Sequence, residues 1–268
     1  MELHCNVRGA GRDVVLLHPA GLDHASMNAV ADHLARAYRV VSVDLRGHGA
    51  SPDAPAGSRL ADWAADVRAT IARHCDEAAV VLGVSLGGMV AQTLACLHPQ
   101  AVSALVLCGC AATFPAEVRD ILRERGRLAE RGGMSAVVEA TLDRWFTAEA
   151  RHGPFADAAR ERLLNDRVSN WSATWDAIAL HDMLPRLGEV SVPALVVAGE
   201  CDAATPLAAT RQLAAAIPGA QWVALPNAPH MMQLENSAAL NAVVTAFLES
   251  AFDRAFDHTS TVSRRTSR

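Results

Sequence analysis

Apolar residues fall in short continuous runs that alternate with longer amphipathic stretches. The runs are rich in β-branched residues, and unbroken hydrophobicity is typical of strands buried on both faces of a parallel sheet. They cover residues 14–18, 40–44, 80–84, 104–108, 194–199 and 222–226. The intervening stretches predict helices over residues 26–37, 60–74, 86–98, 207–217 and 237–251. This alternation predicts an α/β fold with a mostly parallel, doubly wound sheet, to which residues 2–8 add an antiparallel strand.

The alternation of predicted strands and helices stops between residues 115 and 185. No β-branched run occurs there, and apolar side chains such as Val138, Leu142 and Trp145 recur at helical spacing. We interpret this segment as an inserted helical lid, with an ordinary packed helical layer as the alternative. The predicted organisation is a core of residues 1–114 and 186–255, a lid of residues 115–185, and a disordered Ser/Thr/Arg-rich tail of residues 256–268.

Composition narrows the function classes. The chain has 268 residues, of which 51% are apolar and 20% charged, so it is long and apolar enough for one substantial core. A net charge of −5 without a long run of one sign argues against nucleic-acid and membrane partners. Six cysteines without metal-binding spacing, behind a start that lacks an apolar leader, predict reduced thiols in a cytoplasm. The oligomeric state stays open between monomer and homodimer.

The sharpest motif is Gly83-Val84-Ser85-Leu86-Gly87, which matches G-x-S-x-G between a predicted strand and a predicted helix. In that context the serine occupies a tight turn that exposes its hydroxyl. The start of the helix also brings backbone N–H groups close to the nucleophile. The alternative is a glycine turn without a catalytic role.

A nucleophilic serine needs a base and an acid that orients the base. In this strand–turn–helix arrangement the acid and then the histidine follow later in the chain, each beyond a strand. Asp202 follows the run 194–199, and His230 follows the run 222–226. We therefore predict Ser85, Asp202 and His230 as a catalytic triad. The weaker rivals for the acid and base are Glu200, His48, His152 and His181.

The oxyanion of an acyl-transfer intermediate requires about two N–H donors. One predicted donor is the backbone N–H of Leu86, directly after the nucleophile. The other is the N–H of Ala20, in the loop after the first buried strand, because the preceding Pro19 has no N–H. A turn without any ligand role is the alternative for this loop.

Five motifs together resemble the α/β-hydrolase superfamily: HPAG (18–21), DLRGHGAS (44–51), GVSLGG (83–88), GECDAATP (199–206) and NAPH (227–230). The segments TLDRWFT (141–147), 177–182 and IPGAQ (217–221) resemble 3-oxoadipate enol-lactonases of aromatic catabolism. The resemblance implies an α/β-hydrolase fold with a helical lid. It also implies hydrolysis of a small enol-lactone or carboxylic ester by Ser85, Asp202 and His230, with no metal and no cofactor.

The substrate pocket is predicted from the lid and the loop after the triad histidine. Arg144, Trp145 and Met231 are the candidates, together with Trp171 and Trp175. The alternative for Arg144 is a surface salt bridge, which is the more frequent role of such an arginine. For each of the three tryptophans, packing within the lid is an equal alternative. The lid contains 10 arginines and 12 acidic residues, so its net charge gives no sign of a dicarboxylate substrate. The alternatives to ester hydrolysis are C–C bond hydrolysis, a perhydrolase reaction, or a ligand receptor on the same scaffold.

Overall fold

The computed structural model describes residues 1–262, and a seven-stranded sheet forms its centre. The strands are β1 (Cys5–Arg8), β2 (Asp13–Leu17), β3 (Arg39–Val43), β4 (Ala79–Val84), β5 (Val102–Cys108), β6 (Ala194–Gly199) and β7 (Gln221–Leu225). They stand in the order β1-β3-β2-β4-β5-β6-β7, with β1 antiparallel to β3 and every other neighbouring pair parallel. The predicted α/β fold with a mostly parallel sheet is confirmed.

Helices cover both faces of the sheet. They are α1 (Asn28–Leu34), α2 (Leu60–His74), α3 (Leu86–Leu97), α4 (Ala116–Gly132), α5 (Ser135–Trp145), α6 (Pro154–Leu164), α7 (Val168–Ala179), α8 (Leu207–Ala216), α9 (Met232–Glu235) and α10 (Ser237–Val262). One apolar core packs α1 and α10 against one face, and a larger core packs α2, α3 and the inserted helices against the other. Within residues 1–262, no helix is both long enough and apolar enough to cross a membrane.

The last helix is longer than the periodicity predicts. It continues to Val262, beyond the predicted boundary of the core at residue 255. Neither glycine nor proline, the usual helix-ending residues, occurs in that extension. Residues 263–268, which complete the predicted tail, lie outside the described residues.

Helices α4 to α7 form an insertion between β5 and β6, and a 3-10 turn over Leu184–Glu189 leads back to the sheet. Within it, α4 and α7 lie close together. A Cβ added at Gly126 on α4 would stand only 3.0 Å from the Cα of Ser172 on α7. The indole N–H of Trp171 donates to the carbonyl of Arg125 across the same contact, at 3.2 Å. These contacts join α4 to α7, and apolar residues of the insertion belong to the same buried cluster as those of α2 and α3.

Polar contacts connect the insertion to loops at the carboxyl ends of the strands. Arg162 on α6 pairs with Asp23, in the loop after β2, at 3.0 Å. Asn170 on α7 accepts a hydrogen bond from the N–H of Ala54, in the loop after β3, at 3.0 Å. The insertion thus lies over the strand ends, where open α/β sheets place their binding sites.

Candidate active site

Ser85 stands at a strained turn between β4 and α3. Its φ of 54° and ψ of −112° are unusual for a residue with a side chain. The flanking glycines permit this turn, because a Cβ on Gly83 would come 2.2 Å from the carbonyl of Gly87. A Cβ on Gly87 would come 2.2 Å from the carbonyl oxygen of Leu17 in β2. The G-x-S-x-G spacing therefore reflects two close backbone approaches.

The three residues predicted as a triad form one hydrogen-bonded group. The Nε2 of His230 lies 3.0 Å from the Oγ of Ser85, and its Nδ1 lies 2.9 Å from an oxygen of Asp202. An ionised carboxylate only accepts hydrogen bonds, so Nδ1 carries the proton and Nε2 faces the serine as an acceptor. The side chains of His230 and Asp202 are 4% and 1% exposed, so water competes little for these bonds.

Asp202 has two roles, one for each carboxylate oxygen. Oδ2 bonds His230, while Oδ1 accepts the N–H groups of Ala204 and Thr205, both at 2.8 Å. The acid thus organises its own loop as well as the imidazole. Helix α8 begins shortly afterwards, at Leu207, and the Thr205 hydroxyl donates to the Gly109 carbonyl at 2.9 Å.

The rival acid and bases lie elsewhere. Glu200 is exposed, as is His152. His48 is buried against the carbonyl of Arg46 at 2.9 Å, and burial lowers the pKa of its ring to about 3. His181 contacts the amide of Gln92, and burial lowers its pKa to about 4. Neither buried ring is hydrogen-bonded to Ser85.

The two predicted oxyanion donors lie near Ser85: Leu86 follows it directly in the chain, and Ala20 lines the same cavity. Leu86 is the first residue of α3, where a backbone N–H has no carbonyl partner within the helix. Ala20 is buried and lines the same cavity as Ser85 and His230. The structure therefore brings the Ala20 loop to the triad from the end of β2.

Sequence reasoning missed the role of His18 in that loop. This ring is fully buried, and its Nε2 accepts the N–H of Leu45 at 2.9 Å. Its Nδ1–H therefore donates to the carbonyl of Pro19 at 2.7 Å. The carbonyl of Pro19 and the N–H of Ala20 belong to the same planar peptide group. By holding the carbonyl, His18 therefore fixes the orientation of a predicted oxyanion donor. Burial lowers the pKa of His18, which keeps the ring neutral in this role.

A cavity of about 880 Å³ opens above Ser85 and His230. Its floor comes from the loops of the core, and its upper wall comes from α4, α5 and α7 of the insertion. Most of the lining is apolar, and its larger members are Met89, Phe114, Val118, Ile121, Leu122, Trp145, Trp175 and Ile178. A volume of this size suits a small organic molecule.

Two arginines interrupt the apolar wall. Arg144, predicted from the sequence, and Arg125, which was missed, both line the cavity. Burial, with a smaller contribution from Arg144, lowers the pKa of Arg125 to about 10, so it stays charged at neutral pH. Among residues 1–252, whose side chains the structure describes, neither guanidinium is paired with a carboxylate. The cavity thus contains two positive charges without a negative partner.

Not all of the predicted pocket residues reach the cavity. Trp145 and Trp175 line it, whereas Trp171 packs edge-on against Trp175 inside the insertion, with ring centroids 5.4 Å apart. Met231 is fully buried in the core and is not part of the lining. Its N–H donates to the carbonyl of Trp145 at 3.0 Å, so it holds the end of α5 in place.

The sheet order, the strand–turn–helix placement of Ser85 and the order of its partners define a class of protein. Residues 13–237 match the alpha/beta hydrolase fold family, and the chain belongs to this family of hydrolases. The predicted superfamily is thereby confirmed. The chain is 33% identical to a pimeloyl-(acyl-carrier protein) methyl ester esterase from Chromobacterium violaceum, over 93% of this chain and 99% of that protein.

Two further relatives show the range of reactions among similar proteins. A 2-hydroxy-6-oxononadienedioate/2-hydroxy-6-oxononatrienedioate hydrolase from Cupriavidus pinatubonensis is 30% identical, over 92% of this chain and 90% of that protein. The crystal structure of the enol-lactonase from Burkholderia xenovorans LB400 matches with a TM-score of 0.85 and 31% identity. That match covers 92% of this chain and 96% of the other. The similarity to enol-lactonases predicted from the lid motifs is confirmed, and the relatives also include an esterase.

Proposed function

We propose that this protein is a serine hydrolase that cleaves a small carboxylic ester or lactone bearing a free carboxylate. The observation that carries the proposal is the Ser85, His230 and Asp202 group at the floor of an apolar cavity whose wall holds two unpaired arginines. The α4–α7 insertion acts as the lid of this cavity.

The reaction is a two-step acyl transfer. His230 takes the proton of Ser85 as the hydroxyl oxygen attacks the carbonyl carbon, and Asp202 stabilises the imidazolium that forms. The N–H groups of Leu86 and Ala20 bind the oxyanion of the tetrahedral intermediate. His230 then gives its proton to the departing oxygen, which leaves an acyl group on Ser85. A water molecule, deprotonated by the same histidine, releases the acid and regenerates the hydroxyl.

Arg125 and Arg144 supply the selectivity for an anionic substrate. A charged group buried in an apolar wall is costly until it meets an opposite charge, and a carboxylate can bind a guanidinium through two parallel hydrogen bonds. In 3-oxoadipate enol-lactone one carboxyl group closes the ring and the other is free. This lactone therefore offers an acyl carbon for Ser85 and an anion for the arginines, and we propose it as the first substrate to test.

C–C bond hydrolysis is the second candidate. The relative from Cupriavidus pinatubonensis is a hydrolase of a dioate, and such a substrate also presents carboxylates. Its cleavage requires the enol to become a ketone before attack, a step that an enol-lactonase does not need. A comparison of the two substrate types therefore separates the candidates.

The test is hydrolysis monitored by absorbance, with wild type and Ser85→Ala. The substrates are 3-oxoadipate enol-lactone, 4-nitrophenyl acetate and 2-hydroxy-6-oxononadienedioate. We expect fast turnover of the lactone, slower turnover of the acetate, and a loss of about 10³- to 10⁶-fold in Ser85→Ala. Faster turnover of the dienedioate than of both esters would replace ester hydrolysis by C–C hydrolysis. Undiminished activity in Ser85→Ala would remove Ser85 from the mechanism.

A further inference from the structure

Three side chains outside the cavity converge at the other end of the loop that carries Ala20. The Nδ1 of His4 lies 3.0 Å from Oδ2 of Asp44, and the Nδ1 of His24 lies 2.7 Å from Oδ1 of the same carboxylate. The three donor atoms all lie within 4.8 Å of one another. None of the three residues lines the cavity above Ser85.

The backbone holds this cluster in place before any ligand arrives. The carboxylate of Asp44 also accepts the N–H groups of His24 and Ala50, at 2.8 and 2.9 Å, so its two oxygens have fixed directions. The N–H of Asp44 in turn donates to the carbonyl of His4 at 2.9 Å, which ties the segment before β1 to the end of β3. Little reorganisation is therefore needed to bring the three donors around a single ion.

We propose that His4, His24 and Asp44 form a binding site for a divalent transition-metal ion, with Zn²⁺ as the best fit. Two imidazole nitrogens and one carboxylate oxygen are a donor set that suits zinc, which takes four ligands in a tetrahedral arrangement. On binding, each ring gives up its Nδ1 hydrogen bond to the carboxylate and carries its proton on Nε2 instead. Water supplies the fourth ligand.

The exposure of the cluster fits an ion that enters from solvent. The side chain of His4 is 44% exposed and that of His24 is 22% exposed, whereas Asp44 is 1% exposed. The buried carboxylate is thus the fixed floor of the site, and the more exposed His4 is the ligand free to close the distance to a metal. Hard cations such as Mg²⁺ prefer all-oxygen sites and are not expected to bind here.

The role of this site is structural. Its ligands come from three separate segments, before β1, after β2 and after β3, and a bound ion would cross-link them. Anything that binds only the folded chain raises its stability. Because hydrolysis by Ser85 does not involve these residues, the proposal stands or falls independently of the proposed reaction.

The experiment is calorimetric titration of ZnCl₂ into untagged protein stripped of metal with EDTA, alongside thermal unfolding with and without ZnCl₂. The variant is His4→Ala, which removes an exposed ligand and leaves the backbone contacts intact. The matched control is His152→Ala, at an exposed histidine on the insertion. In a parallel titration Co²⁺ replaces Zn²⁺, and the visible absorption of the bound Co²⁺ reports the coordination geometry of the site.

We expect wild type and His152→Ala to bind one equivalent of Zn²⁺ and to melt at a higher temperature with it. His4→Ala should bind at least about tenfold more weakly, as expected when one of three ligands is lost, and should show a smaller rise in melting temperature. Equal Zn²⁺ affinity in wild type and His4→Ala would overturn the proposal. So would the absence of any Zn²⁺ binding to wild type at 100-fold excess of the ion.

Discussion

The guanidinium carbon of Arg125 lies 4.4 Å from the centre of the Trp175 ring, inside the wall of the cavity. This cation–π contact stabilises the positive charge in part, but it leaves the N–H groups of the arginine without a carboxylate. Arg125 is therefore held in position by α7 while its hydrogen-bonding capacity stays open to a ligand.

Replacing either cavity arginine should affect anionic substrates selectively. For Arg125→Gln and Arg144→Gln we expect kcat/KM for the carboxylate-bearing lactone to fall about 10- to 100-fold, since a charged hydrogen bond contributes about 1.5–3 kcal/mol. Turnover of neutral 4-nitrophenyl acetate should change less than about twofold. Arg127→Gln, at an exposed arginine on the same helix, serves as the control. Equal losses on both esters would mean that the arginines support the fold instead of the substrate.

Loss of the His18 ring should weaken binding of the transition state more than binding of the substrate. In His18→Leu the Pro19 carbonyl loses its 2.7 Å donor, so the Ala20 N–H is no longer oriented. We expect kcat to fall about 10- to 100-fold with little change in KM. Affinity for a boronic acid that mimics the tetrahedral intermediate should fall in parallel, measured by inhibition. His98→Leu is the control, and a His18 variant that changed only KM would contradict this role for His18.

A methyl group at Gly87 should disrupt the turn that carries Ser85. The new Cβ of Gly87→Ala would lie 2.2 Å from the carbonyl oxygen of Leu17, so β2 and α3 must move apart. We expect the free energy of unfolding to fall by about 1–3 kcal/mol and turnover to fall with it. Gly188→Ala is the matched control, because nothing lies within 4 Å of its added Cβ. Urea unfolding of both variants measures the difference, and similar values would refute a steric role for Gly87.

Asp166 should make stability depend on pH in an unusual direction. Burial raises the pKa of this carboxyl to about 6, and one of its buried oxygens has no hydrogen-bond partner within the described residues. The folded chain therefore binds this proton more tightly than the unfolded chain does. Binding of this proton stabilises the folded chain fully below about pH 4, and this stabilisation is lost as the pH rises through about 6.

The substitution Asp166→Asn removes the charge and keeps the shape. We expect it to raise the free energy of unfolding by about 1–2 kcal/mol at pH 8, with the gain shrinking towards pH 4. Asp157→Asn, at an exposed acid of the same insertion, should show no such trend. Urea denaturation across that pH range measures both. A gain that did not change with pH would contradict a buried charge as its cause.

The sequence predicts the buried strands and the residues beyond their ends well, because both depend on local patterns. Unbroken apolar runs identified the buried strands, and the order of Ser85, Asp202 and His230 along the chain placed each beyond a strand end. Parallel strands bring such ends to one edge of a sheet, so residues far apart in the chain could be predicted to meet.

The cavity wall was predicted less well, because it depends on the rotation of helices about their axes. Arg125 is one of several arginines on α4, and no spacing in the sequence distinguishes it from Arg127, which is exposed. Met231 was expected in the pocket because it follows His230. However, its backbone bond to Trp145 turns its side chain into the core. Such outcomes follow from tertiary contacts between segments, which periodicity does not encode.

The insertion is also the only route by which the chain passes from β5 to its parallel neighbour β6. Parallel strands cannot be joined by a tight hairpin. The chain leaves β5 at its carboxyl end and needs a crossover that returns it to the amino end of β6. Such a crossover needs only about a dozen residues, so a lineage of such proteins could shorten this segment when its substrate changes but could not delete it. New specificities would then arise by substitution within these helices, or by a change in their length, while the chemistry below stays constant.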